Sequence, residues 1–219
     1  MSNTYEVAGK LGAFAARKIQ ILQRDYLGSG SRAAHARSVL AQLRRLHEPG
    51  SSTWIMAGRE LFENWPELDL GPSEETRALR AVATSFKFYA IHQQSNTVGM
   101  SMPHKKKDGA QVPRRNPYSF GQACRQIDPD IDRSGAIRRR LASIEAAYDF
   151  EGIAYHMRGL IKLMSSKQIG LDYFSLIKDL YLVQCDGLKD RVLIDWSRAY
   201  FGSLETEPQK AAAIEIEKA

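Results

Sequence analysis

Residues 73–93 read SEETRALRAVATSFKFYAIHQ, and this stretch decides the fold class. Its apolar side chains recur at the three-and-four spacing of one helix face: Leu79, Val82, Ala83, Phe86 and Ala90. The serine and two glutamates at its start suit a helix N-terminus, because the free N–H groups and the dipole there favour oxygen acceptors and negative charge. The stretch predicts an amphipathic α-helix.

The same spacing extends over nearly the whole chain in both directions, and no convincing alternation of period two, the pattern of a strand, interrupts it. Breaks that contain glycine separate helices at residues 28–31 and at Gly170. We predict nine helices, near residues 4–26, 31–46, 53–63, 73–93, 118–127, 134–148, 150–168, 172–184 and 188–201. The predicted fold class is therefore all-α.

The segment between the fourth and fifth helices is the least helical part of the chain and contains three prolines. A segment of more than about 20 residues without periodicity is typically functional or disordered. We predict two helical bundles, residues 1–94 and 118–202, joined by a basic flexible loop at 95–117. Residues 203–219 lack an apolar face to bury, so they are predicted to form a tail.

Hydrophobic residues make up 43% of the 219-residue chain and charged residues 26%, a composition typical of folded globular proteins. No apolar run approaches the roughly 18 to 20 residues that cross a bilayer, and residues 1–10 lack the pattern of a secretion signal. The two cysteines, Cys124 and Cys185, are too few for a disulfide framework. We expect a cytoplasmic protein without a membrane partner.

None of the motif-like stretches predicts a catalytic or metal site. Glycines 28 and 30 resemble a dinucleotide loop, but a predicted helix precedes them where that loop needs a strand. Three aspartates at 128, 130 and 132 have the spacing of a calcium loop, but Arg133 and Arg139 stand where that loop needs glycine and glutamate. A helix-capping acidic turn fits them better. The five histidines lack zinc-site spacing, so the sequence predicts neither an enzyme nor a cofactor.

The formal net charge of +6 is concentrated in two parts of the chain. Residues 1–50 carry 8 basic and 3 acidic side chains, and residues 101–150 carry 10 and 6, whereas the other two parts are slightly acidic. Because like charges repel unless a counter-charge is present, this clustering favours a polyanionic partner. No helix-turn-helix, zinc-finger or RNP pattern accompanies it, so we predict contact with the nucleic-acid backbone and not base reading.

Two predicted helices carry arginines away from their apolar stripes. Those of the second helix are Arg37, Arg44 and Arg45. They form either a phosphate-binding row or an ordinary solvated face. Those of the sixth helix are Arg138, Arg139 and Arg140, which fan over about 200° of the helix surface, so not all three can contact one ligand. At least one is expected to lie along apolar surface or to pair with Asp130 or Asp132.

The seventh predicted helix carries an aromatic and two cations in one column, Tyr155, Arg158 and Lys162. A tyrosine beside two cations could stack on a base. The alternative is that Tyr155 is half-buried in ordinary packing.

Five stretches of the C-terminal half, taken in order, resemble the CasB family, the small subunit of the type I-E CRISPR surveillance complex called Cascade. They are SFGQA at 119–123, IRRRL at 137–141, YHMRGLIKL at 155–163, GLDYFSLIKDLY at 170–181 and DWSRAYF at 195–201. The resemblance covers about residues 75–201 well. The first helices match more loosely, chiefly through Gly30, Arg32, Arg37 and the step Leu43, Arg44 and Arg45.

The resemblance implies an all-helical, non-catalytic protein of two bundles. It implies two copies of the chain in a complex with guide RNA, the backbone subunits and the large subunit. It also implies a basic surface that helps to hold the guide-bound target and the displaced non-target DNA strand during R-loop formation in antiviral defence. Basic sites of the family match, by position, Arg37, Arg138, Arg139 and Arg158, and Lys162 lies in the same helix motif. Gln122 departs from the pattern, since relatives often have a basic residue there, and Arg125 follows one turn later.

The candidate nucleic-acid-binding residues combine these helix faces with the basic residues of the predicted loop. They are Arg32, Arg37, Arg44, Arg45, Lys105, Lys106, Lys107, Arg114, Arg115, Arg125, Arg138, Arg139, Arg158 and Lys162. The alternative hypothesis is a protein-only assembly scaffold whose basic faces contact acidic surfaces of other subunits.

Overall fold

The structure, a computed structural model, describes residues 2–46, 55, 57–104 and 116–203. Within these ranges the chain forms nine helices and no strand: α1 (Ser2–Leu27), α2 (Gly30–Arg44), α3 (Gly58–Phe62), α4 (Pro72–His92), α5 (Phe120–Ile127), α6 (Gly135–Glu145), α7 (Phe150–Ser166), α8 (Tyr173–Leu182) and α9 (Lys189–Phe201). The predicted all-α fold class is confirmed.

Most helix boundaries follow the predicted ones to within three residues. The third helix differs, because α3 begins at Gly58 and most of the predicted helix before that residue lies outside the described ranges. Carboxylates accept backbone N–H groups at two helix N-termini: Glu74 of α4 accepts from the preceding Gly71 N–H at 3.0 Å, and Asp149, just before α7, accepts from Gly152 N–H at 2.8 Å. No helix within the described ranges is both long and apolar enough to cross a bilayer.

Helix α8 lies at the centre of the packing, in contact with α1, α4 and α9. Glycine at position 12 permits the close approach of α1, because a Cβ atom there would lie 3.0 Å from the Phe174 carbonyl oxygen of α8. Helix α7 packs against α4, α5 and α6, and α2 packs against α1 and α4. The buried apolar side chains of these helices form one hydrophobic cluster.

The predicted arrangement as two bundles is not confirmed. Helix α1 belongs to the predicted N-terminal bundle and α8 to the C-terminal one, yet the two helices pack directly on each other. Helix α4 likewise contacts α7 and α8 across the predicted division. A single core therefore joins elements of both predicted bundles, and the division at residues 94 and 118 stays a prediction.

Part of the segment predicted as a basic loop is bound to the core. Leu171 N–H donates to the Met100 carbonyl, and Met102 N–H donates to the Leu171 carbonyl, both at 2.9 Å. Ser101 N–H donates to Gln23 Oε1 at 2.6 Å, and Gln23 Nε2 donates back to the Ser101 carbonyl at 3.1 Å. These residues therefore connect α1 to the start of α8.

A buried histidine joins α4 to α8. His92 Nδ1 lies 3.1 Å from the Tyr173 hydroxyl, and His92 Nε2 lies 2.8 Å from the Ile169 carbonyl oxygen. Since a carbonyl only accepts, Nε2 carries the proton and Nδ1 accepts from the hydroxyl. Burial lowers the pKa of His92 to about 4, so the imidazole is neutral at pH 7 and both its nitrogens are hydrogen-bonded.

Candidate nucleic-acid interface

Helices α6 and α7 pack against each other and present their basic side chains on the outside. Each helix buries an apolar stripe, which includes Ile137 and Ile144 in α6 and Ile153 and Met157 in α7. The side chains left exposed by this packing include Arg138, Arg139, Arg140, Arg158 and Lys162.

The two basic faces meet at Gly159. Arg140 Nη1 lies 2.8 Å from the position that a Cβ atom on Gly159 would occupy, so the Arg140 side chain extends from α6 onto the surface of α7. Residues 155, 158, 159 and 162 share one face of α7, because 158 and 159 each lie three or four positions from both 155 and 162. We call the side chains gathered there the α6–α7 basic face: Arg140, Tyr155, Arg158 and Lys162.

The positive charge of this face has no acidic partner among the residues that the structure describes. Helices α6 and α7 contain five basic residues and two acidic ones, Glu145 and Glu151. Glu151 pairs with Arg80 of α4 at 3.5 Å. None of the five basic residues forms an ion pair with any residue that the structure describes, so their charges stay available to a ligand.

Of the two alternatives for the α6 arginines, the ion pair with Asp130 or Asp132 does not form among the described residues. Asp130 pairs instead with Arg133 at 3.3 Å, and Asp130 Oδ1 accepts from the Asp132 backbone N–H at 3.0 Å. These bonds form the acidic turn before α6 that the sequence predicts in place of a calcium loop. Arg140 is the arginine that lies along a neighbouring surface, at Gly159.

Tyr155 is not half-buried, because 73% of its surface is exposed. Its ring contacts the neighbouring His156 edge-on, with centroids 5.3 Å apart. The exposed ring is accessible to a ligand, as the other predicted role, stacking on a base, requires.

The arginines of α2 lie on a separate set of helices, since α2 packs on α1 and α4. Arg32, Arg37 and Arg45 are exposed and Arg44 is half-buried. The Arg37 guanidinium lies 5.9 Å from the centroid of the Tyr26 ring of α1, a cation–π contact that orients it. Within the described ranges these four arginines have no acidic partner, so α2 offers a second basic surface.

Gln122 and Arg125 of α5 have structural contacts. Gln122 is buried and its Nε2 donates to the carbonyls of Ala199 and Ser203, at 2.6 and 3.1 Å, which holds α5 to the end of α9. Arg125 is half-buried, and its Nη1 lies 3.4 Å from the Asp128 carbonyl beyond the end of α5. The five candidates of the predicted loop lie outside the described residues: Lys105, Lys106, Lys107, Arg114 and Arg115.

Sequence reasoning missed Arg140 as a site residue. It identified three adjacent arginines, but only the packing of α6 on α7 determines which of them reaches the neighbouring helix. One signal in the sequence is Gly159, which stands between Arg158 and Lys162 and leaves the helix surface open to a side chain from outside.

The described residues offer no metal centre, since no group of three or more His, Cys, Asp or Glu side chains among them could hold an ion. Burial raises the pKa of Asp179 to about 7, the kind of shift that often marks an active site. Asp179 Oδ2 accepts from Trp196 Nε1–H at 2.7 Å, and this bond ties α8 to α9. The perturbed carboxyl group therefore has a structural partner.

Comparison with known proteins identifies the family of the chain. The family model described as CRISPR-associated protein Cse2 matches residues 39–201, more than half of the chain. The chain belongs to the Cse2 family. The Cse2 match runs from within α2 to the last residue of α9, so it includes the whole α6–α7 basic face, whereas Arg32 and Arg37 precede it.

Two solved structures are similar to this Cse2 chain. The crystal structure of CasB from Thermobifida fusca has a TM-score of 0.69 and 22% identity, over 88% of this chain and 98% of that one. The crystal structure of CasB from M. ruber has a TM-score of 0.51 and 19% identity, over 92% and 98%. These likenesses show a shared fold. No curated protein matches the sequence significantly. The predicted membership of the CasB family of type I-E Cascade is confirmed by the family match.

Proposed function

We propose that this Cse2 chain is a non-catalytic small subunit of a type I-E CRISPR Cascade complex that binds the sugar-phosphate backbone during R-loop formation. Family membership supports the assignment as a Cascade small subunit. The proposed partners are guide RNA, the target and non-target DNA strands, the backbone and large subunits, and a second copy of the chain. The proposed location is the cytoplasm.

The observation that carries the backbone-binding role is the unpaired charge of the α6–α7 basic face. Arg140, Arg158 and Lys162 converge from two helices without an acidic partner among the described residues. Holding like charges together costs free energy unless a ligand neutralises them. Guanidinium groups suit phosphate because their planar fork can donate two hydrogen bonds at once.

Weak backbone contacts are sufficient for this role. Replacing a DNA duplex by a guide–target duplex is nearly balanced in free energy, so a modest preference for the opened state decides the outcome. A protein that binds phosphates of the guide-bound target or of the displaced strand supplies that preference without breaking any bond.

The salt dependence of binding tests this role with the full chain. We expect the protein to bind an oligodeoxynucleotide weakly and without sequence preference, with an affinity that falls as salt is added. Each phosphate contact contributes about −0.7 to the slope of log affinity against log salt concentration for a single strand. The variant R140A/R158A/K162A should lower the magnitude of that slope by about 2.

A matched control is K10A/R24A/R59A, which also removes three exposed cations. In the structure those cations pair with Glu6, Asp25 and Glu63. The control should leave the slope near that of the parent. Equal slopes for the parent and R140A/R158A/K162A would contradict the assignment.

Cross-linking in the assembled complex distinguishes the backbone-binding role from the protein-only scaffold. Ultraviolet cross-links from Tyr155 to nucleotides would support the backbone-binding role. Cross-links from the basic residues to subunit carboxylates alone, with none to nucleic acid, would support the scaffold instead. Co-purification of the chain with guide RNA and the other subunits tests membership of the complex.

A further inference from the structure

We infer that Tyr155 stacks on an unpaired base, so that the α6–α7 basic face takes a single-stranded nucleic acid. This inference rests on the proposed function and deepens it.

The side chain of Tyr155 is exposed to solvent. Its neighbours Ile153 and Met157 are buried in the core, whereas the Tyr155 ring leaves 73% of its surface in solvent. Its hydroxyl has no hydrogen-bond partner among the described residues, and its ring contact is with His156. A tyrosine in this position contributes little apolar burial to the fold, and its ring is free to meet a ligand.

Three cations follow Tyr155 along the same face of α7. At 1.5 Å per residue, Arg158 and Lys162 lie about 4.5 and 10 Å further along the α7 axis than Tyr155. Arg140 reaches the same face at Gly159, which lies between them. An extended nucleotide strand along α7 can therefore place a base on the ring and its following phosphates on the cations.

The state of the bases decides between a single strand and a duplex. In a duplex each base face is covered by the next base pair, so a ring on a helix surface reaches no base face unless the step is opened. In a single strand the faces are available, and stacking of bases on aromatic side chains together with a basic surface is the usual mode of sequence-tolerant binding. The pairing of one exposed ring with three cations fits the single strand.

The acidic residue of α7 does not block this surface. Glu151 lies one turn before Tyr155 on α7, and its carboxylate is taken up by Arg80 of α4 at 3.5 Å. An acidic peptide would use the same cations but has no base to place on the ring. The experiment therefore separates the contribution of the ring from that of the cations.

Three probes of equal phosphate number test the inference with the full chain: oligothymidylate, an abasic oligodeoxynucleotide and a short DNA duplex. The variant Y155A should bind oligothymidylate about fivefold or more weakly than the parent. Its affinity for the abasic strand and for the duplex should stay within twofold of the parent. The variant Y155F keeps the ring and should bind oligothymidylate like the parent. Equal melting temperatures of the three proteins establish that the fold is intact.

Tyr148 provides the control, because it is fully exposed but precedes α7. The variant Y148A should bind oligothymidylate like the parent, and a loss as large as that of Y155A would overturn the inference. Unchanged binding of oligothymidylate by Y155A, or an equal loss for the abasic strand, would also overturn it. Polyglutamate serves as a fourth probe, an acidic chain without bases. If Y155A lost as much affinity for polyglutamate as for oligothymidylate, the surface would fit an acidic peptide and the inference would be overturned.

The proposed function fails in a different way. It fails if R140A/R158A/K162A binds the abasic strand as tightly as the parent does, because that probe offers phosphates without bases. A normal response of the triple variant combined with no effect of Y155A would therefore reject the stacking role and keep the backbone-binding role.

Discussion

Arg140 owes its place on the candidate surface to Gly159, the residue it meets on the neighbouring helix. The column of Tyr155, Arg158 and Lys162 was predictable, because spacing along one helix fixes which side chains share a face. The choice of Arg140 over its two neighbours was not, since it depends on how α6 crosses α7. The binding roles of all these residues stay predictions.

The buried His92 makes the stability of the protein depend on pH. Its pKa is about 4 in the folded protein and 6.5 without the fold, so the unfolded chain binds more protons between these pH values. Stability contributed by the neutral imidazole is therefore present above pH 6.5 and is lost as the pH falls toward 4. The full shift corresponds to about 3 kcal/mol.

Denaturation of the parent and of His92→Gln from pH 7 to pH 4 measures this effect. The difference between their free energies of unfolding should fall by up to about 3 kcal/mol over that range, because glutamine does not titrate. Other ionisable groups contribute equally to both proteins and cancel. A difference that is constant with pH would contradict the neutral, doubly bonded state of His92.

At the scale of elements, helices were predictable and their long-range contacts were not. Periodicity and capping residues act locally, which is why the boundaries of α4 and α8 agree with the predicted ones to within two residues. The packing of α1 on α8 joins residues that are more than 140 positions apart, and no local pattern encodes it. The same holds for residues 100–102, whose bonds to Leu171 and Gln23 come from distant parts of the chain.

Two helical glycines, one in the middle of α7 and one in the first turn of α5, provide a contrasting pair of substitutions. At Gly159 a new Cβ atom would meet only the end of the flexible Arg140 side chain, whereas at Gly121 it would overlap the Trp196 backbone carbonyl. Because alanine favours a helix over glycine by roughly 0.5 to 1 kcal/mol, Gly159→Ala should stabilise the protein slightly while it displaces Arg140. Gly121→Ala should destabilise it by roughly 1 to 3 kcal/mol, since α5 and α9 must move apart.

Chemical denaturation and oligonucleotide binding check this pair. The variant G159A should melt no lower than the parent and yet bind the abasic strand more weakly. A G159A protein that binds as the parent does would mean that Arg140 does not act from its position on α7. A G121A protein of unchanged stability would contradict the close packing of α5 on α9.

At the scale of the whole molecule, one core joins what the sequence divides into two bundles. The proline-containing segment suggests a division, but apolar side chains of α1, α4, α7 and α8 belong to a single buried cluster. We therefore predict one cooperative unfolding transition, with equal calorimetric and van't Hoff enthalpies. Two separate transitions would favour independent bundles.

R-loop formation by the reconstituted complex tests the central claim most directly. The R140A/R158A/K162A chain should assemble with guide RNA and the other subunits as the parent does, since these exposed side chains have no ion pair among the described residues. The resulting complex should open target DNA severalfold less effectively, while the complex with K10A/R24A/R59A performs like the parent. A triple-variant complex that opens target DNA as well as the parent complex would contradict the claim that the α6–α7 basic face holds nucleic acid.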